Sequence, residues 1–404
     1  MRSRRIHALA ALIAALACAL VVAACGSDNG SSSGDGASTR GSKDPFVVGA
    51  ALGLTGDCAQ GDVSALEGIK YQVKQVNAAG GIDGRQIKLI SEDMQSKPAL
   101  AGRVTQELID KGAQVILGPC LAGNAIPTAE AASAQGVPTI LVTNTVPLPA
   151  QVMDSRLVFF AGFSDNVQAA AGAEYALAQG YRTALLVESG DISYTSDTPH
   201  WFGEAFEHGG GKVVGDVSYK IGQTDFSAQV TKIANTNPTP DVIYSALFMP
   251  DLGVFVPQLR SAGVKAALIG ADAFESQEFV DTAKQDAEGI VLSTHGLATA
   301  GTPFGDLIDG ITADTGKAPE ANGYAALGAD AVQLLSKAAE TAGSSDPRAL
   351  AEAIFTFRDV QLVSGKRTYA GTDGSPKLPI AMAKIEHGRY VLAKEIQPSW
   401  VPTP

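Results

Sequence analysis

Three groups of residues in this 404-residue chain have the types and spacing to do chemistry. The first is Val22-Ala23-Ala24-Cys25, which closes an apolar run that starts behind Arg2, Arg4 and Arg5. A cationic start that stays on the cytoplasmic side, an apolar segment that enters the bilayer and small residues before a cysteine suit peptidase cleavage and lipidation of Cys25. The alternative is an uncleaved anchor, since Ile6 to Ala24 is nearly long enough to span a hydrocarbon core of roughly 30 Å. The second group is Cys58 with Cys120. Cys18 leaves with the signal and Cys25 is modified, so the two that remain in an oxidising compartment are expected to form a disulfide, the alternative being two buried thiols. The third group is a pair of loops. Cys120-Leu121-Ala122-Gly123-Asn124 lies between a strand and a helix start, where backbone amides and the helix dipole can hold an anion. Thr143, Asn144 and Thr145 end the next strand and either add hydroxyl and amide donors to that wall or simply turn the chain.

Other patterns carry no chemistry. Gly30-Ser31-Ser32-Ser33-Gly34 matches a nucleophile elbow but lies in a low-complexity run with no strand before it. His200, Glu204 and His208 share a helical face, yet the two histidines fall about 12 Å apart at 1.5 Å per residue, too far for one ion. Gly49, Gly53 and Gly56 lack the spacing of a dinucleotide fingerprint, and no phosphate-loop lysine follows. His295 and His387 have no evident nucleophile partner. No catalytic constellation, metal site or cofactor is expected.

These loops need elements to position them. Without residues 1–24 the 30 Lys and Arg fall by three against 42 Asp and Glu, a net charge of −15, which disfavours nucleic acid as a partner. Residues 25–44 are rich in Gly and Ser and read as a flexible tether, so the protein is expected to be exported and lipid-anchored at the outer face of the membrane, or periplasmic. The roughly 360 residues that follow exceed what one core usually supports, which predicts two lobes. Short β-branched runs alternate with amphipathic stretches, the pattern of an α/β fold built on parallel sheets. Strands are expected at 46–54, 86–92, 114–118 and 138–143, then at 183–188, 213–219, 241–247, 267–270 and 289–294. Helices are expected at 61–79, 166–179, 226–235, 252–262, 277–283, 324–342 and 346–355. A hairpin closes the chain at 380–386 and 390–396, turned at His387-Gly388.

The stretch Leu54-Thr55-Gly56, a helix, then Val76-Asn77-Ala78-Ala79-Gly80-Gly81-Ile82-Asp83-Gly84-Arg85 resembles the type I periplasmic binding proteins of ABC importers, in particular the branched-chain amino-acid binders. Val115-Ile116-Leu117-Gly118-Pro119, Gly136-Val137-Pro138, Thr224-Asp225-Phe226-Ser227 and Gly323-Tyr324-Ala325-Ala326-Leu327 extend the resemblance over residues 46–396. It implies two lobes, each a parallel-sheet α/β sandwich, joined by a three-crossover hinge near Gly162, His295 and Val360. The first lobe would then comprise 45–162 and 296–360, and the second 163–295 and 361–397.

The resemblance also implies a ligand, a small solute that is expected to be a branched-chain or other apolar amino acid, and ABC permease subunits as partners of a monomer. Thr143 to Thr145 and the loop 120–123 would receive its carboxylate. Tyr194, Phe248 and Asp272 fall where the family places two aromatics and an acid near the ligand's ammonium. Read from the residues alone, Asp272 caps the helix ahead of Phe274 to Val280 and the aromatics are core. The sequence departs from the family in three places. Leu121-Ala122-Gly123 replaces a Ser-Thr-rich loop, which leaves carboxylate binding to backbone amides. Ala59-Gln60-Gly61-Asp62 lacks a bulky aromatic, and Pro319 stands where another aromatic is common. A different solute, such as an aromatic acid, an amide or a short peptide, and a sensor without transport are the alternatives.

Overall fold

The structure, a computed structural model, describes residues 44–404. The expected signal 1–24, Cys25 and the tether up to residue 43 lie outside the described residues. Among those described, no helix is long and apolar enough to cross a membrane.

The first lobe opens with β1 (Phe46–Leu52), α1 (Ala59–Ala78), β2 (Ile87–Asp93), α2 (Pro98–Asp110), β3 (Val115–Gly118), α3 (Ala122–Ala134), β4 (Thr139–Leu141), the short α4 (Ala150–Met153) and β5 (Val158–Phe160). Its strands pair in parallel in the order β2-β1-β3-β4-β5. Strands β3, β4 and β5 are buried at every position, as a sheet covered by helices on both faces requires.

The chain then crosses into the second lobe. It runs through α5 (Asp165–Ala178), β6 (Thr183–Glu188), α6 (Ser193–His208), β7 (Lys212–Ser218), α7 (Ser227–Ala234), β8 (Val242–Ser245), α8 (Asp251–Ser261), β9 (Ala267–Gly270), α9 (Gln277–Ala283) and β10 (Val291–Thr294). It returns to the first lobe as α10 (Pro303–Thr315), α11 (Asn322–Ala342), α12 (Pro347–Ile354), β11 (Val360–Leu362) and β12 (Gly365–Arg367). The antiparallel pair β13 (Ile380–Glu386) and β14 (Arg389–Ile396) completes the second sheet, in the order β14-β13-β10-β9-β8-β6-β7.

The third crossover falls later in the chain than the expected Val360. Leu362 and Tyr369 pack in the first lobe's core. Arg367 on β12 forms a fully buried ion pair with Asp330 on α11 at 2.8 Å. Tyr369 donates its hydroxyl to the carbonyl of Phe160 at 2.8 Å, and Phe160 N–H donates to the carbonyl of Gly374 at 3.0 Å. Residues 361–374 therefore belong to the first lobe, because this strap covers the free edge of β5. Gly374 permits the approach: its φ is +120°, and a Cβ there would stand 2.2 Å from the carbonyl oxygen of Val158.

Helix α11 lies against α1, and two glycines set the spacing. A Cβ at Gly68 would stand 1.8 Å from the Ala325 carbonyl oxygen, and one at Gly328 would stand 2.0 Å from that of Ala65. This contact fixes Tyr324, at the start of α11, beside Gln60 and Gly61 at the start of α1. Strand order reverses once in each sheet, between β1 and β3 and between β6 and β8. Loops at the carboxyl ends of the strands diverge at such points and leave a crevice.

Candidate functional site

Loops from both reversal points contribute to one cavity. Asp57, Cys58 and Gln60 follow β1, and Cys120 and Leu121 follow β3. Tyr194 follows β6 and Phe248 follows β8. The other lining residues are Gly61, Thr143, Thr145, Val146, Ala273 and Tyr324. Of the residues expected from sequence, Cys120, Leu121, Thr143, Thr145, Tyr194 and Phe248 line this cavity. Ala122 and Gly123 border an adjoining depression that Leu121 and Tyr194 also reach. Asn144 is buried and donates its amide to the Val146 carbonyl at 2.8 Å, so it shapes the turn. Asp272 does not line the cavity.

Cys58 and Cys120 form a disulfide, with Cα atoms 5.7 Å apart. It ties together the two loops that diverge at the first reversal point. Both sulfurs of the Cys58, Asp62, Cys120 grouping are thereby oxidised and offer no thiolate to a metal. Leu121, next to the bond, has φ +62° and ψ 130°, a conformation that a residue with a Cβ adopts only when its surroundings impose it.

Behind the wall lie buried carboxyl groups. Asp62, in the first turn of α1, accepts from Gly53 N–H at 2.7 Å and from the Thr143 hydroxyl in a short hydrogen bond. Burial pushes its pKa up to about 7 in spite of these bonds. Asp165 donates its N–H to the Thr145 carbonyl at 2.8 Å and accepts from Gln168 at 2.7 Å, and its carboxyl is raised well above its ordinary range by burial and by the charge of Asp272. Glu275 accepts from Thr294 at 2.6 Å and from Gly323 N–H at 2.7 Å.

Asp272 is the hub. Its Oδ1 accepts from Tyr194 at 2.8 Å and Gln168 at 2.9 Å. Its Oδ2 accepts from Tyr324 at 3.0 Å and meets His295 Nε2 at 3.0 Å. Burial opposes its charge, but the bonds from His295, Gln168 and Tyr194 hold the carboxyl below its ordinary range. The side chain that sequence reading placed against the ligand therefore has all four of its lone-pair directions occupied by protein. It orients Tyr194 and Tyr324 and sits behind them.

Sequence reading missed Asp57, Gln60, Gly61, Val146, Ala273 and Tyr324 as wall residues. Tyr324 carried a signal, because it stands within Gly323-Tyr324-Ala325-Ala326-Leu327. Gln60 joins the lobes by donating its amide to the Glu275 carbonyl at 2.9 Å.

Residues 45–389 match the family described as periplasmic binding protein. The chain is similar to the Leu/Ile/Val-binding protein BraC3 of Rhizobium johnstonii, with 26% identity over 86% of this chain and 94% of that protein. It is also similar to the Leu/Ile/Val-binding protein homolog 2 of Brucella abortus, with 28% identity over 85% of this chain and 92% of that one. Among solved structures it resembles the branched-chain amino acid transporter substrate-binding protein LivJ of Streptococcus pneumoniae in complex with isoleucine. The TM-score is 0.78 at 24% identity, covering 88% of this chain and 100% of the other. An ABC transporter solute-binding protein of R. palustris in complex with benzoate matches with TM-score 0.77 at 20% identity, over 89% and 98% of the two chains.

Proposed function

Since the chain belongs to the periplasmic binding protein family, we propose that it captures a branched-chain or other apolar amino acid by closing two lobes around it, and delivers it to an ABC permease. The coarser statement is that it is an extracytoplasmic substrate-binding protein for a small solute. The observation that carries the finer reading is the cavity itself, walled by both lobes, with apolar groups such as Leu121, Val146 and Phe248 beside polar ones such as Thr143 and Thr145. An amphipathic solute of amino-acid size suits such a wall, and each aliphatic side chain enclosed would contribute roughly 1.5 to 3 kcal/mol. Lipidation of Cys25 and a monomeric state complete the proposal.

The test is thermal stabilisation of the purified protein by leucine, isoleucine, valine and phenylalanine, set against their deaminated acids. A ligand at about 100 times its Kd adds about 2.7 kcal/mol to stability. Stabilisation by the amino acids supports the reading. Stabilisation by the acids alone supports an aromatic or aliphatic acid as solute, the alternative favoured by the resemblance to the benzoate complex. A closed form that scatters X-rays identically with and without ligand would count against lobe closure.

A further inference from the structure

Two segments that do not line the cavity meet across the lobes, residues 320–323 of the first and residues 275–278 of the second. Glu320 stands two residues before α11. It accepts from Glu278 N–H in the first turn of α9 at 2.7 Å and from the Ser276 hydroxyl at 2.9 Å, and its carbonyl accepts from Gln277 N–H at 3.2 Å. The second lobe returns the contact. Glu275 stands two residues before α9 and accepts from Gly323 N–H in the first turn of α11 at 2.7 Å. Each carboxylate thus takes up a backbone N–H that the start of the other lobe's helix leaves without an intrahelical partner. Their surroundings differ. Glu275 is buried and is also held by the Thr294 hydroxyl of its own lobe at 2.6 Å, whereas Glu320 is exposed. Gly323 makes room for Glu275, because a Cβ at that position would stand 2.6 Å from Glu275 Oε2.

We propose that Glu275 and Glu320 form a reciprocal latch, which favours the closed arrangement of the lobes through protein groups alone and so sets part of the affinity for a solute that neither residue touches. This rests on the reading above that the lobes close around the solute. None of these bonds passes through the cavity, so their free energy adds to that of the solute contacts. Closure exchanges bonds to water for bonds within the protein, which leaves a modest net gain per bond, larger where one partner is charged. Water competes at Glu320 and lowers its share. A protein that reaches the closed form more readily gives up less of the solute's binding free energy to the conformational change. Glu275 and Glu320 are positioning residues, because they act on the solute only through the relation between the lobes.

The experiment combines small-angle X-ray scattering of the purified protein with calorimetric titration by leucine, isoleucine, valine and phenylalanine, for the parent and for Glu320→Ala, Glu320→Gln and Gly323→Ala. Free Glu320→Ala is expected to have a larger radius of gyration than the free parent, with Glu320→Gln between them because its carbonyl still accepts. At saturation all are expected to reach one radius, the parent contracting less than Glu320→Ala. Amino-acid affinity is expected to fall about fivefold in Glu320→Ala, through faster dissociation, and to stay within about twofold of the parent in Glu320→Gln. Gly323→Ala displaces Glu275 and is expected to behave as Glu320→Ala does, although alanine suits a helix better than glycine. Variants that match the parent in both free radius and affinity overturn the proposal and leave the amino-acid reading standing. Free radii that differ as expected while no amino acid binds support the latch and overturn the amino-acid reading. A parent whose radius stays the same at saturation overturns lobe closure and the latch with it. A Gly323→Ala protein that matches the parent while Glu320→Ala does not would remove Glu275 from the latch and overturn its reciprocity.

Discussion

Tyr324, carried by the first lobe, donates its hydroxyl to Asp272 of the second at 3.0 Å. One hydrogen bond thereby joins a cavity wall residue, a buried carboxylate and the two halves of the molecule. The carboxylate is useful to the site because it is fully engaged with protein.

Asp272→Ala would leave Tyr194, Tyr324, Gln168 and His295 facing an empty acceptor position. Removal of one partner from a buried charged network costs about 3 to 5 kcal/mol. Urea denaturation is expected to show a loss of that size. A loss below about 1 kcal/mol, ordinary for a surface site, would mean that the network contributes little to the fold.

Removal of the disulfide through Cys58→Ser with Cys120→Ser opens a loop closed across a sequence separation of 62. The chain-entropy model gives about 4 kcal/mol for such a loop. Because both cysteines line the cavity, the variant is also expected to bind its solute more weakly, with the change concentrated in the dissociation rate. Unchanged binding in a destabilised variant would restrict the bond to a structural role.

Asp62 makes stability depend on pH. Its carboxyl pKa is about 7 in the fold and about 3.9 in an unfolded chain. The folded state thus binds the proton more tightly, and the stability this provides is full below about pH 4 and is lost as pH rises through 7. Asp62→Asn removes the dependence. Its stability relative to the parent is expected to improve between pH 4 and pH 8, by at most about 4 kcal/mol, in denaturation curves recorded across that range. A difference that stays constant with pH would refute the assignment.

Gly328→Ala places a methyl group where the Ala65 carbonyl oxygen stands at 2.0 Å. Helices α1 and α11 must separate, at a cost of about 1 to 3 kcal/mol. Tyr324 lies one turn away on α11, so weaker solute binding should accompany the lower melting temperature. An alanine variant with parental stability would show that the helix contact is looser than its geometry implies.

The α/β class was legible because β3 and β9 are unbroken apolar runs of the kind a covered parallel sheet uses. The loops carrying Cys58, Cys120, Tyr194 and Phe248 were legible because a strand precedes each of them. The start of helix α6, before the face carrying His200, Glu204 and His208, was not, since Pro199 interrupts its periodicity, and neither was β5, which is only three residues long. The role of Asp272 was the deeper miss. A sequence shows that an acid follows β9, but its four partners come from α5, α6, α11 and the residue after β10, at separations of 23 to 104 residues. Whether a carboxylate is free or saturated is decided by tertiary packing. Tyr324 escaped for the same reason, because its place in the wall depends on the glycine contact between α1 and α11.

The strap that ends at Gly374 has a consequence for the order in which the protein can be made. The first sheet is finished by residue 160, yet its covering helix α11 and the segment over the edge of β5 emerge only after the whole of β6 to β10 has been synthesised. A chain interrupted before the end of α11 would expose the face of β1 that α1 and α11 share, one interrupted between there and Gly374 would leave the edge of β5 bare, and such exposed surface drives aggregation. The half of the molecule translated first is therefore among the last to become a folded unit.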